Sequence, residues 1–125
     1  MRRGGIFLLI FALFAFVTLG QSAQAARFTG AYLLELCEKD QNGKELVKGG
    51  HAICQSYIAG IIDTHNMMRS LSRGDLPSAE FCIPPGTTLN TLHDVILGYL
   101  RNNDQHDNFI ASPALVTAFF QKYPC

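Results

Sequence analysis

The sequence predicts an all-α protein, a single small domain of about four helices stapled by disulfides. Three observations carry that expectation. Apolar residues recur at helical spacing beyond residue 25, and no alternating apolar and polar run extends past a few residues. All four cysteines fall in the same region, an even count that suits two bridges in an exported domain. The chain is 125 residues long with 48 % hydrophobic and only 16 % charged residues, so one collapsed domain is favoured over disorder.

The first 25 residues read as a leader. Met1, Arg2 and Arg3 make a short positive start, Ile6 to Leu19 form an apolar run, and Ala23-Gln24-Ala25 supplies a small-residue cleavage signal. The run has 14 residues, short of the roughly 20 that a spanning helix needs. Residues 1–25 are therefore expected to be a signal peptide and 26–125 the mature domain, with no membrane segment after cleavage. The mature part holds eight basic and ten acidic residues. That balance argues against nucleic-acid binding, which needs a basic excess.

Four helices follow in order. Thr29 caps a short first helix carrying Leu33, Leu34, Leu36 and Cys37. Lys39 to Gly50 holds three glycines and several charges and reads as a loop. A long second helix runs from about His51 to Leu71. Cys54, Ile58 and Ile62, beside Ile53, Tyr57 and Ile61, predict one wide buried stripe that also takes in Met68. Gly60 in its middle costs about 1 kcal/mol relative to alanine, which a close helix crossing would rationalise. Ser72 to Pro85 is a loop, with Phe81 and Ile83 expected to pin Cys82 to the core. Thr87 or Thr88 caps a third helix whose inner face is Leu89, Leu92, Val95, Ile96, Tyr99 and Leu100. Arg101 to Asn108 is polar. Ser112 followed by Pro113 reads as a cap and first helical position of a fourth helix, lined by Leu115, Val116, Phe119, Phe120 and Tyr123.

Four cysteines allow three pairings. An antiparallel hairpin of the first two helices brings Cys37 to Cys54. Cys82 and Cys125 are then left to bridge the loop before the third helix to the end of the fourth.

Chemistry-bearing residues are few. His51, His65, His93 and His106 include no pair spaced four apart on one helix, so they read as surface or cap histidines rather than metal ligands. Asp63 and His65, two residues apart, do not face each other on a helix. His93 and Asp94, with Tyr99 beyond, have the order of a small exported calcium-dependent lipase, but prolines stand where its glycine-rich calcium loop belongs. There is no G-x-S-x-G, phosphate-binding or dinucleotide-binding motif, so neither catalysis nor a cofactor is expected. Met67, Arg69, Arg73 and Asp75 combine adaptable and charged side chains and are the candidate partner-binding residues.

Taken together the blocks have a family look. Thr29-Gly30 and Leu33 to Cys37 precede a C-x-x-Y-I-x-G-x-x-D block from Cys54 to Asp63. An F-C-x-P-x-G block follows from Phe81 to Gly86, and the chain closes on Tyr123-Pro124-Cys125. This pattern resembles the Rap/Tai immunity proteins of bacterial type VI secretion over essentially the whole mature chain. The resemblance implies a small helical periplasmic protein, often a homodimer, that binds and blocks a peptidoglycan-cleaving amidase effector. The chain departs from the pattern in a longer first loop, Asp40 to Gly49, and in the polar stretch Arg101 to Asn108. Two other classes stay open at this point. One is a periplasmic acid-stress or chaperone-like helical protein, and the other is the lipase using His93 and Asp94.

Overall fold

A computed structural model describes residues 27–71 and 80–125. The leader, with its expected cleavage after Ala25, and most of the Ser72 to Pro85 loop lie outside the described residues. Four helices form the domain: α1 (Gly30–Cys37), α2 (Gly50–Leu71), α3 (Leu89–Arg101) and α4 (Ala111–Lys122), with a short 3-10 turn at Asp104–His106 before α4. Among the described residues there are no strands beyond three isolated bridges, at Thr29 with Ile110, Lys39 with Glu45, and Phe81 with Pro124.

Helix α1 is the pivot of the packing. Thr29 caps it, its hydroxyl accepting the Tyr32 N–H at 3.2 Å. Leu33, Leu36 and Cys37 face inward and are buried. They meet Cys54 and Ile58 of α2, Leu92, Ile96, Leu97 and Leu100 of α3, and Ala111, Ala114, Leu115, Ala118 and Phe119 of α4. Small residues on α4 let that helix approach closely, while Phe119 fills the space between it and Phe81, with ring centroids 5.2 Å apart. The two cysteine pairs stand at disulfide distance: Cys37 with Cys54, Cα atoms 5.2 Å apart, and Cys82 with Cys125, 5.0 Å apart. Phe81 is buried beside Cys82, and the Cys82 N–H donates to the Tyr123 carbonyl at 2.8 Å. The segment before α3 is thus pinned to the end of α4, as its apolar residues require.

The first loop is more ordered than its glycines imply. The Asp40 carboxylate accepts the N–H groups of Asn42 and Lys44 at 2.8 and 2.9 Å. The Glu45 carboxylate accepts those of Gly49 and His51, at 2.9 and 3.3 Å, and so closes the start of α2. Gly49 has φ of 77°, a backbone region that glycine supplies without steric cost.

Five expectations need correction. The buried stripe of α2 is narrow. Ile53 and Met68 are exposed, Tyr57, Ile61 and Ile62 are half-buried, and only Cys54 and Ile58 among the expected residues are fully buried. The reason is length. Twenty-two residues span roughly 33 Å at the helical rise, whereas α1, with eight, spans roughly 12 Å. The last turn of α2 therefore overhangs the core. Gly60 faces open space and marks no crossing. The close approach is at Gly50, where a Cβ would stand 2.7 Å from the Leu36 carbonyl oxygen.

On α3 the inner face is rotated. Leu97 and His93 are buried, while Leu89 is exposed. Packing against both α1 and α4 favours the Leu92, Ile96, Leu100 row together with the residues beside it. Thr88 is the cap, accepting the Thr91 N–H at 3.2 Å. On α4, Ser112 lies inside the helix rather than capping it, because α4 begins at Ala111. The Ala111 N–H donates to the Phe28 carbonyl at 2.8 Å, and the Gly30 N–H donates to the Phe109 carbonyl at 3.0 Å. The backbone before α1 thus does the satisfying that a serine cap would do. Phe120, expected on the inner face of α4, is exposed.

Candidate functional site

Two places gather functional side chains. The first is the C-terminal end of α1. Its last carbonyls have no partner within the helix, and histidines from two other elements supply one. The His93 Nε2–H of α3 donates to the Cys37 carbonyl at 2.7 Å, and the His51 Nε2–H of α2 donates to the Glu38 carbonyl at 3.0 Å. The two rings meet edge to face with centroids 4.8 Å apart. His93 is only 3 % exposed. Burial, followed by the nearby His51 and Lys39, holds its pKa below the ordinary imidazole value. Lys39 pairs with Asp94 above the rings, and Gln55 donates to the Asn90 amide oxygen at 2.8 Å. These groups surround a cavity of about 260 Å³ lined by Lys39, His51, Gln55, Asn90, His93 and Asp94. Close by, Arg101 holds the Glu38 carboxylate through two bonds of 2.8 and 2.6 Å. That contact, more than any other, keeps the Glu38 pKa low.

This geometry overturns the surface reading for His93. The imidazole is in the core with a backbone carbonyl on one nitrogen, and its neighbour Asp94 is engaged by Lys39. The cap reading holds in an unexpected form, since His51 and His93 cap α1 from across the fold. Asp63 and His65 do not meet: Asp63 is exposed, whereas His65 is half-buried and stacks on Phe81 at 3.8 Å. Burial and the nearby Arg69 lower the His65 pKa, and among the described residues its buried Nδ1 has no hydrogen-bond partner. His106 contacts the Tyr99 hydroxyl at 3.2 Å.

Among the described residues, two sets of metal-capable atoms are tightly gathered: Cys37, Cys54 and His93, and Glu80, Cys82 and Cys125. In each set both sulfurs are already spent in a bridge.

The second place is the overhang of α2. Met67, Met68 and Leu71 are 55, 47 and 74 % exposed, and Arg69 pairs with Glu80 at 2.9 Å. Met68 is therefore surface rather than core, and Leu71 joins the patch although its sequence position only marked a helix end. Arg73 and Asp75 lie outside the described residues. Exposed Tyr32, Phe109 and Ile110 form a separate apolar region near the start of α1, which helical periodicity did not single out. The isolated bridge between Thr29 and Ile110 could not be read from spacing.

The described architecture is a small helical bundle whose cysteines and two of whose histidines are spent on structure. The chain belongs to the family of Rap1a immunity proteins, whose model matches residues 29–125. No curated protein and no solved structure matches it. Among the described residues no helix is long and apolar enough to cross a membrane.

Proposed function

We propose that this chain is a periplasmic immunity protein that binds a secreted peptidoglycan amidase and blocks it by occlusion. The observation that carries the reading is the family match across residues 29–125. The geometry is in keeping with it. An inhibitor needs a rigid frame and a projecting element rather than a catalytic group, and the frame here is a short, doubly stapled bundle with one helix extending past it. Export would rest on residues 1–25 as a cleaved signal peptide, which would deliver residues 26–125 to a compartment where disulfides persist.

The proposed contact surface is the α2 overhang. Met67, Met68 and Leu71 supply adaptable apolar area and Arg69 a charge, with Arg73 and Asp75 continuing it in sequence. A second copy of the chain is the other partner proposed. The test is to export a candidate amidase, encoded beside this chain, into the periplasm of a host. Cells lyse with the amidase alone and survive when this chain is co-exported. Met68→Asp abolishes survival while the purified variant melts at the wild-type temperature. Lysis despite the intact chain, with every neighbouring amidase tried, overturns the amidase assignment.

A further inference from the structure

The two bridges differ in what surrounds them. Cys37 and Cys54 are wholly buried, join α1 to α2 and are members of the apolar core. Cys82 and Cys125 belong to no part of that core. Cys125 is exposed and stands beyond Lys122, the last residue of α4. Residues 123–125 form a short strap over the segment that precedes α3. Besides the bridge, the strap is held by the Cys82 N–H on the Tyr123 carbonyl and by the isolated pairing of Phe81 with Pro124. The segment beneath has other anchors. Phe81 is buried between Phe119 of α4 and the His65 ring of α2, and Glu80 pairs with Arg69 of α2.

Thiol–disulfide exchange requires a thiolate to reach one sulfur of the bridge, so access decides which bridge reacts. The core pair offers no approach until the α1–α2 hairpin itself opens. We propose that the Cys82–Cys125 bridge is an exchange site for small dithiol reductants, attacked at the Cys125 sulfur, and that its opening releases the strap while the bundle and Cys37–Cys54 stay closed. In the first step one thiolate of the reductant bonds to Cys125 Sγ. The S–S bond breaks, and its electron pair leaves on Cys82 Sγ, which takes up a proton. In the second step the other thiolate of the reductant displaces Cys125 from the mixed disulfide. The reductant departs as a cyclic disulfide, and Cys125 is protonated to a thiol. Two electrons have passed from the dithiol to the cysteine pair. The opened bridge had closed a sequence separation of 43 residues, so the reduced chain loses stability. The core contacts remain, because neither Cys82 nor Cys125 contributes to them.

The exchange needs no protein partner, so its test does not depend on the inhibitor reading. The oxidised chain is incubated with dithiothreitol at pH 8 without denaturant, quenched with iodoacetamide over a time course and mapped by mass spectrometry. Cys82 and Cys125 are alkylated first, and Cys37–Cys54 opens about a hundredfold more slowly, because it waits on unfolding. With the monothiol glutathione, the trapped adduct sits on Cys125 and the alkyl group on Cys82. Hydrogen exchange reads the strap. In the partly reduced chain the Cys82 N–H loses protection, whereas the Cys37 N–H within α1 keeps it. The double variant Cys82→Ser with Cys125→Ser retains the helical circular dichroism of the wild type and melts at a lower temperature. Its Cys37–Cys54 bridge resists dithiothreitol as before. Equal rates at the two bridges, a glutathione adduct on Cys82, unchanged protection of the Cys82 N–H, or rapid opening of Cys37–Cys54 in the double variant overturns the proposal.

Discussion

The two ends of the helical hairpin formed by α1 and α2 are opposites. At the Cys37–Cys54 end, polar groups from three helices and the first loop are paired with one another. The disulfide is fully buried, two histidines close the α1 carbonyls, and Glu38, Lys39, Asp94 and Arg101 are paired across elements. At the far end, the last turns of α2 run past the other helices and present Met67, Met68 and Leu71 to solvent. The same helix is therefore scaffold at its start and free surface at its finish. Stability should reside in the first region and recognition in the second, and mutations can separate them.

The largest effect is expected in the core beside the closed end. Leu33 is fully buried between α2, α3 and α4, and Leu33→Ala should cost about 2–5 kcal/mol through lost burial and the cavity left behind. Met68→Ala at the open end should change stability by less than about 0.5 kcal/mol, since surface substitutions commonly do little. Denaturant titration of the two variants measures both. Comparable losses would mean that the overhang is packed in solution and that the contrast between the ends is false.

Removing the closed-end bridge comes next. Cys37→Ala with Cys54→Ala should cost about 2–4 kcal/mol, the usual range for a bridge that restricts the unfolded chain. Thermal melting of the double variant, with Cys82–Cys125 intact, reports it.

Acid should strike the closed end in two stages. The His93 pKa is depressed in the fold, so between that value and the unfolded value near 6.5 the unfolded chain binds the extra proton. The stability tied to its neutral form is complete above about pH 6.5 and is lost as pH falls through that window. His65 acts in the same direction. Glu38 is a depressed carboxylate held by Arg101, so its contribution is complete above its ordinary pKa of 4.5 and declines only at lower pH. Urea midpoints measured from pH 8 to pH 3 should fall first below about 6.5 and again below about 4.5. Arg101→Gln should flatten the second fall and leave the first.

These regions also differ in how far they could be read from the sequence. Helical spacing located α1, α2, α3 and α4, and hairpin logic brought Cys37 to Cys54, because both depend on local periodicity. The closed end depends on pairs far apart in the chain. His93 meets Cys37 across 56 positions and Arg101 meets Glu38 across 63, and no spacing rule connects them. Met68 was placed in the core because its spacing fits the stripe of α2. Periodicity records which side of a helix is apolar, but not where the neighbouring helices stop. Ser112 was assigned as a cap because serine before proline has that local signature, whereas the Phe28 carbonyl, some eighty residues away in sequence, satisfies the α4 start.

The smallest effect sharpens the contrast at the middle of α2. Gly60 was expected to mark a crossing, yet a Cβ there would meet nothing within 4 Å. Its backbone is helical, so alanine can adopt the native conformation without strain. Gly60→Ala should then raise stability by about 0.5–1 kcal/mol by reducing the freedom of the unfolded chain. Gly50→Ala, at the first residue of α2, should do the reverse, because its Cβ would press on the Leu36 carbonyl and backbone cannot step aside cheaply. Chemical denaturation of both variants tests the pair. If alanine destabilises at 60 as it does at 50, that face of α2 is covered in solution, and a second copy of the chain is the first occupant to look for by sedimentation.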